Sequence, residues 1–193
     1  LFGDVELSYV ANNISLLASH LIVDPKAMAV RPATDTTEGD LLMIVNGTST
    51  TGYRSASSGL GGTLACFMLH KQQNIVAPSF LQTDGTFLDI GVDLDTIYVV
   101  VKRTVNSATK YYLEVFDDDF TTDSSVQKTS SFSGTSYNLV AHLNAKTAKV
   151  IRDDIVESDV TVNSSGTITT SAQPSTYVEA GLDFTVTVKT NPA

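Results

Sequence analysis

Hydrophobic positions along the chain fall into two regimes that meet near Pro25. Upstream, Leu7, Val10, Ile14, Leu17 and Leu21 recur at helical spacing over residues 5–22. That spacing predicts one short helix, with Asn12 or Asn13 capping residues 15–20. Asp24-Pro25 ends it, because a residue before proline is pushed away from the helical region. Downstream, the apolar residues gather in short runs or alternate with polar ones, which is the pattern of strands.

Residues 41–45 form a continuous apolar run closed by Asn46-Gly47, a hairpin-turn dipeptide. Residues 48–62, rich in Ser, Thr and Gly, read as a loop, and residues 63–69 as a second buried strand that pairs with the first. Residues 75–77 and 79–81 are extended and end in the turn Thr83-Asp84-Gly85. Strands follow at 87–92, 96–103 and 110–116, the last two forming a ribbon around Asn106-Ser107-Ala108. Residues 117–136 hold three successive aspartates and few apolar anchors, so a domain boundary or long connection is expected there. Beyond it, strands are predicted at 148–152, 159–162, 167–170, 176–180 and 183–189. Phe184, Val186 and Val188 alternate with Thr185, Thr187 and Lys189, the signature of a half-buried strand. The fold class expected is all-β: mainly antiparallel hairpins in a propeller-like sheet with one short N-terminal helix, plus a small β-barrel or β-sandwich. The division expected is residues 1–118 and residues 119–193.

Length and charge narrow the functional classes. At 193 residues the chain has room for one large or two small domains, each with a modest core. No apolar run approaches the roughly 20 residues of a membrane-spanning helix, so membrane insertion is not expected. The start Leu1-Phe2-Gly3-Asp4 has no Met, basic segment or signal-peptide core, and reads as a piece of a longer or processed chain. The net charge of −9, with no cluster of Lys or Arg, argues against sequence-specific nucleic-acid binding. An acidic surface instead repels a duplex and lets it slide past.

Candidate chemistry is sparse. His20, His70 and His142 stand alone in apolar surroundings, without the spacing of a metal or catalytic pair, and read as structural. The single Cys66 lies in the apolar run 64–69 and reads as a buried, inert thiol. Ser55-Ala56-Ser57-Ser58-Gly59 lacks the strand-to-helix setting of a nucleophile elbow. Gly59-Leu60-Gly61-Gly62 precedes a strand and has no phosphate-loop lysine. Asp117-Asp118-Asp119 with Asp123, or Asp93 with Asp95, offers oxygen ligands for a hard cation, but no calcium-loop pattern is present and solvated turns fit better. The expectation is no catalytic, cofactor-binding or metal-binding residue, and no cofactor.

The chain nevertheless resembles the tail hub, or nozzle, proteins of short-tailed bacteriophages and their prophage relatives, the tail tubular protein B group. The matching residues are 62–68, 73–77, Thr83-Asp84-Gly85-Thr86-Phe87, 97–103 with Asn106, and Tyr111-Tyr112-Leu113-Glu114. Leu139-Val140-Ala141-His142-Leu143 and residues 146–150 look like the opening of that family's small inserted β-domain, and 160–162, 166–169 and 178–182 match its later strands. Residues 15–21 with Asp24-Pro25 are similar to the helix before its first hairpin. Two departures stand out. The family often has Gly where Ala145 stands and Asp-Gly where Asp153-Asp154 stands, so turns of different shape are expected there. The resemblance implies a virion component, made in the host cytoplasm, that corresponds to a central section of a longer protein. It also implies a ring of copies joined to other tail proteins, and it carries over no enzymatic residue.

Two readings compete with that of a structural tail section forming part of a DNA channel. One is a β-sandwich adhesin that binds a receptor or carbohydrate, which a groove lined by aromatics and carboxylates would favour. The other is an enzyme such as a glycosidase or peptidase, which would need paired carboxylates in a buried cleft. In the channel reading, Glu114, Asp117 and Asp119 are expected to face the lumen and repel DNA.

Overall fold

A computed structural model describes residues 13–16, 18–35, 37–51, 54–56, 59–70 and 73–188. Fourteen strands, all paired antiparallel, hold about half of them: β1 (Pro25–Arg31), β2 (Asp40–Asn46), β3 (Leu64–His70), β4 (Ile75–Leu81), β5 (Thr86–Asp93), β6 (Thr96–Val105), β7 (Ala108–Val115), β8 (Asp123–Lys128), β9 (Ser136–Asn138), β10 (Thr147–Arg152), β11 (Ile155–Val156), β12 (Val160–Thr161), β13 (Thr167–Thr169) and β14 (Val178–Leu182). No closed barrel forms among the described residues. Where the sequence predicts a helix, residues 13–22 make turns and a single 3-10 turn, Ser19–Leu21. The upstream part of that helix, residues 5–12, and Leu17 lie outside the described residues.

The first half is two sheets sharing one core. Strands β1-β2-β3-β4 form a meander, and β5-β6-β7 form a second, with β1 and β2 against β5. Continuous apolar runs become β2 and β3 because the sheet is covered on both faces at its centre, along β2 and the first four residues of β3. Met43, Val45, Leu64 and Cys66 face Phe87, Ile90, Ile97, Val99 and Val101 of the second sheet. Leu42, Ala65 and Phe67 point the other way, onto Ala18 and Leu21. The hairpin β6–β7 turns in two residues, Asn106 and Ser107, both at positive φ (47° and 61°), as the right-handed strand twist requires.

Asn46-Gly47, expected as a hairpin turn, does something else. Strands β2 and β3 are joined by a long loop, and Asn46 is fully buried at its root. Its side-chain oxygen accepts from Val23 N (3.0 Å), and its amide donates to Leu21 O (2.8 Å) and Thr63 Oγ1 (2.9 Å). A side chain with three internal partners ties the 3-10 turn to the sheet, and the dipeptide rule has no access to that tertiary context.

The second half has its own core, built from Tyr137, Val140, Leu143, Ala148, Val150, Val162, Ile168, Val178, Ala180 and Leu182. Its main sheet runs β11-β10-β14-β8, with β12 also on β10, and β13 pairs with β9 beside it. Strand β8 lies within residues 117–136, where a long connection is expected. Asp-Ser-Ser-Val-Gln-Lys has a single aliphatic residue, so no apolar pattern marks it. Pairing with β14 holds it in place. The reverse error occurs at residues 183–188. Phe184, Val186 and Val188 alternate as a strand should, yet the segment joins no strand ladder and all three are exposed; Asp183 forms an ion pair with Lys149 at 3.8 Å. Alternation shows what a segment is able to bury, and in this structure the segment lies undocked.

Candidate assembly surfaces and the junction between the halves

Where the two halves meet, β6 buries a charge. Strand β6 points Ile97, Val99, Val101 and Arg103 to one face, and Arg103 lies where the apolar core gives way to the second half. Its side chain is wholly buried. Nε and Nη2 make a two-pronged contact with Glu114 on the neighbouring strand β7 (3.0 and 2.7 Å). Nη1 and Nη2 reach Asp123 of β8 (3.3 and 3.2 Å), and Nη1 also donates to Asp84 O (2.8 Å). A planar guanidinium with five donors matches this arrangement, which a lysine would not fill.

The carboxylates are held from behind. Ser124 Oγ donates to Glu114 (3.0 Å) and Thr83 Oγ1 to Asp123 (2.6 Å). Nearby, Tyr112 OH donates to His142 O (3.0 Å), His142 Nε2 lies 2.9 Å from Ser124 O, and Lys146 pairs with Asp84 at 2.7 Å. The junction is therefore polar, dense and shared by both halves.

This geometry reassigns several residues singled out in the sequence. Glu114 is engaged by Arg103, which offsets its charge within the chain. Asp117 and Asp119 are exposed, and Asp117 Oδ1 accepts from Asp119 N at 3.0 Å. Asp123 belongs to the Arg103 junction rather than to a cluster with Asp117. Among the described residues no group of three His, Cys, Asp or Glu is placed to hold a metal ion. His20 is exposed in the 3-10 turn, His70 ends β3, and His142 packs edge-on against Tyr112. Cys66 is buried, and loss of hydration pushes its thiol pKa up to about 12. The sequence signal for this junction is Arg103 itself: a lone arginine at an inward position of an otherwise apolar alternating strand needs carboxylate partners.

Outside the junction, β4 and β7 are among the strands that present apolar side chains to solvent. All seven residues of β4, Ile-Val-Ala-Pro-Ser-Phe-Leu, are exposed, and none is charged. The strand is a sheet edge, and Pro78 within it has no N–H to donate, a residue that sheets accept at edges. On β7, Tyr111, Leu113 and Val115 point outward and are 64%, 71% and 48% exposed. Between the β6–β7 hairpin and residues 141–144 lies an open cleft of about 490 Å³, lined by Asn106, Lys110, Tyr112, His142 and Asn144 among others.

No known protein family matches the chain, and no characterised protein matches it closely enough to count as a relative. No helix among the described residues is long and apolar enough to cross a membrane.

Proposed function

We propose that this chain is a structural section of a tail hub or nozzle of a short-tailed phage or prophage, joined to copies of itself and to other tail proteins in a ring around the DNA path. The observation that carries the assembly part is β4. Seven successive exposed residues without a charge, on a sheet edge, form a surface suited to contact with protein rather than with water. The Arg103 junction supports the same reading, since it fixes the two halves to one another as a wall component requires. The tail assignment itself rests on the sequence resemblance. In this reading the meanders of the first half correspond to propeller-like sheets and the second half to a small β-sandwich. The role is mechanical and electrostatic, with no catalytic step.

Particles released from cells that carry the coding sequence test this directly. Peptides of this chain in purified particles, with antibody labelling at the tail, are expected. Their presence in lysate but not in particles overturns the proposal. Within the channel reading, exposed Asp117 and Asp119 keep the wall negative, and replacing both with lysine is expected to slow DNA ejection. Unchanged ejection removes that part.

The adhesin reading draws on the cleft beside Tyr112, where an aromatic ring and two amides suit a saccharide. No carboxylate lines it, and binding to a glycan panel that Asn144→Ala and Tyr112→Ala abolish would favour it over assembly.

A further inference from the structure

The second half is threaded through the first in a way that gives segment 183–188 a place to go. The chain leaves β7 at Val115, crosses residues 116–122 and enters β8. It returns at the end of β14, where Leu182 is the strand partner of Asp123, the first residue of β8. The way in and the way out of the second half therefore lie side by side. Asp123 is held by Arg103 and its neighbour Ser124 by Glu114, near the C-terminal end of β7. Residue 183 thus leaves β14 on the side of the molecule where β7 ends, with its carboxylate turned to Lys149 of β10 at 3.8 Å.

From there, we propose that segment 183–188 docks along β7 as an antiparallel fourth strand, giving the order β5-β6-β7-segment and making residues 123–182 an insertion between two strands of one sheet. The acceptor is a longer or more regular edge than the others, β9 and β13 having only three residues each. β4 is interrupted by Pro78, β8 has Ser124 at φ 52° and a register slip opposite β14, β11 and β12 have two residues each, and β1 lies against β5. β7 runs eight residues without proline, in unbroken register with β6, and its other edge has no strand partner. The donor suits it. Phe184, Thr185, Val186, Thr187 and Val188 are all strand formers, and six residues span about 20 Å, enough to cover most of β7.

Side-chain chemistry selects the register. Setting Phe184 opposite Val115, Val186 opposite Leu113 and Val188 opposite Tyr111 joins three exposed apolar residues of the segment to three of β7. Thr185 and Thr187 then fall on the other face with Glu114 and Tyr112, polar beside polar. A shift of two residues would set Asp183 against Glu114, two carboxylates across one pair. Docking within one chain is favoured over docking on another copy because the tether keeps the segment at the end of its own acceptor. The inference stands whether or not the tail role does.

Hydrogen exchange on the unmodified chain is the first test. Alternate amides of 183–188 and outward amides of β7 are expected to exchange about tenfold or more slower than an open segment, and Val186→Pro is expected to release both sets together. Exchange of 183–188 at the rate of an unstructured peptide overturns the proposal. The second test is the pair Leu113→Cys with Val186→Cys, which the unreactive Cys66 thiol leaves undisturbed. Mild oxidation is expected to give an intrachain disulfide in monomeric protein, much faster than in the pair Leu113→Cys with Thr187→Cys. Equal rates, or disulfides only between chains, overturn it.

Discussion

At Arg103 a guanidinium shielded from water is held by two carboxylates, one from its own sheet and one from the other half of the molecule. Removing one member of a buried ionic group leaves the remainder desolvated and unpaired, so Arg103→Ala is expected to lower stability by about 3 kcal/mol. Pairing it with Asp123→Asn in a double-mutant cycle should give a coupling of about 1–3 kcal/mol by chemical denaturation. A coupling near zero would mean that the contact holds no weight. Ala145 presents the opposite situation. It sits at φ 66°, the left-handed conformation glycine takes without strain, and so do Asp153 (48°) and Asp154 (66°). At these positions side chains occupy glycine-like backbone. Ala145→Gly should therefore raise stability by about 1 kcal/mol, read as an upward shift of the denaturation midpoint.

Among the elements, legibility in the sequence followed how much of each strand's environment was local. β5, β6 and β7 were visible because alternation and the polar pair Asn106-Ser107 are properties of the hairpin itself. β8 was invisible because its place is decided by β14, more than fifty residues later in sequence. The periodicity of Ile14, Leu17 and Leu21 pointed to a helix. In the structure, Ile14 and Leu21 instead pack onto Phe67 and Ala65 from turns, and helical spacing alone does not distinguish the two when the segment is short. The Arg103 junction was only half legible, since Glu114 lies in the same ribbon and Asp123 does not.

The turn between β10 and β11 is a further element held by contacts distant in sequence. Asp153 accepts from the hydroxyl of Thr176, the backbone N–H groups of Ser175 and Thr176, the Ser175 hydroxyl and Tyr177 N. The Thr176 hydroxyl and those two amides hold its carboxyl well below the usual range, and Arg152 does the same more mildly for Glu157. A carboxylate with a depressed folded pKa stabilises above its unfolded value, near 4, and that contribution fades as pH falls further. Thermal melts are expected to drop below about pH 4, and Asp153→Asn should flatten that dependence. An identical acid profile in the variant would refute the assignment.

At the scale of the whole molecule, the two apolar clusters of the first half and the one of the second share no residue, and the halves are joined through a polar junction. Calorimetry of the native chain is expected to show one transition, because the junction is buried and multiply bonded. Arg103→Ala should split it in two, and a single transition in the variant would assign the coupling elsewhere. One feature of the first half also bears on how long the molecule lasts. Asn-Gly is the dipeptide at which polypeptides most readily lose an amide to cyclisation, through attack of the following backbone nitrogen on the side-chain carbonyl. Here the Asn46 side chain is fixed by three hydrogen bonds, and the Gly47 nitrogen is itself engaged with Asp24 O at 2.9 Å. A Cβ at position 47 would lie 2.2 Å from the Asp24 carboxylate, so the site admits glycine alone without rearrangement. The folded protein thus carries a fast chemical clock that its own packing has stopped, and stored samples should deamidate at Asn46 only in the fraction that unfolds.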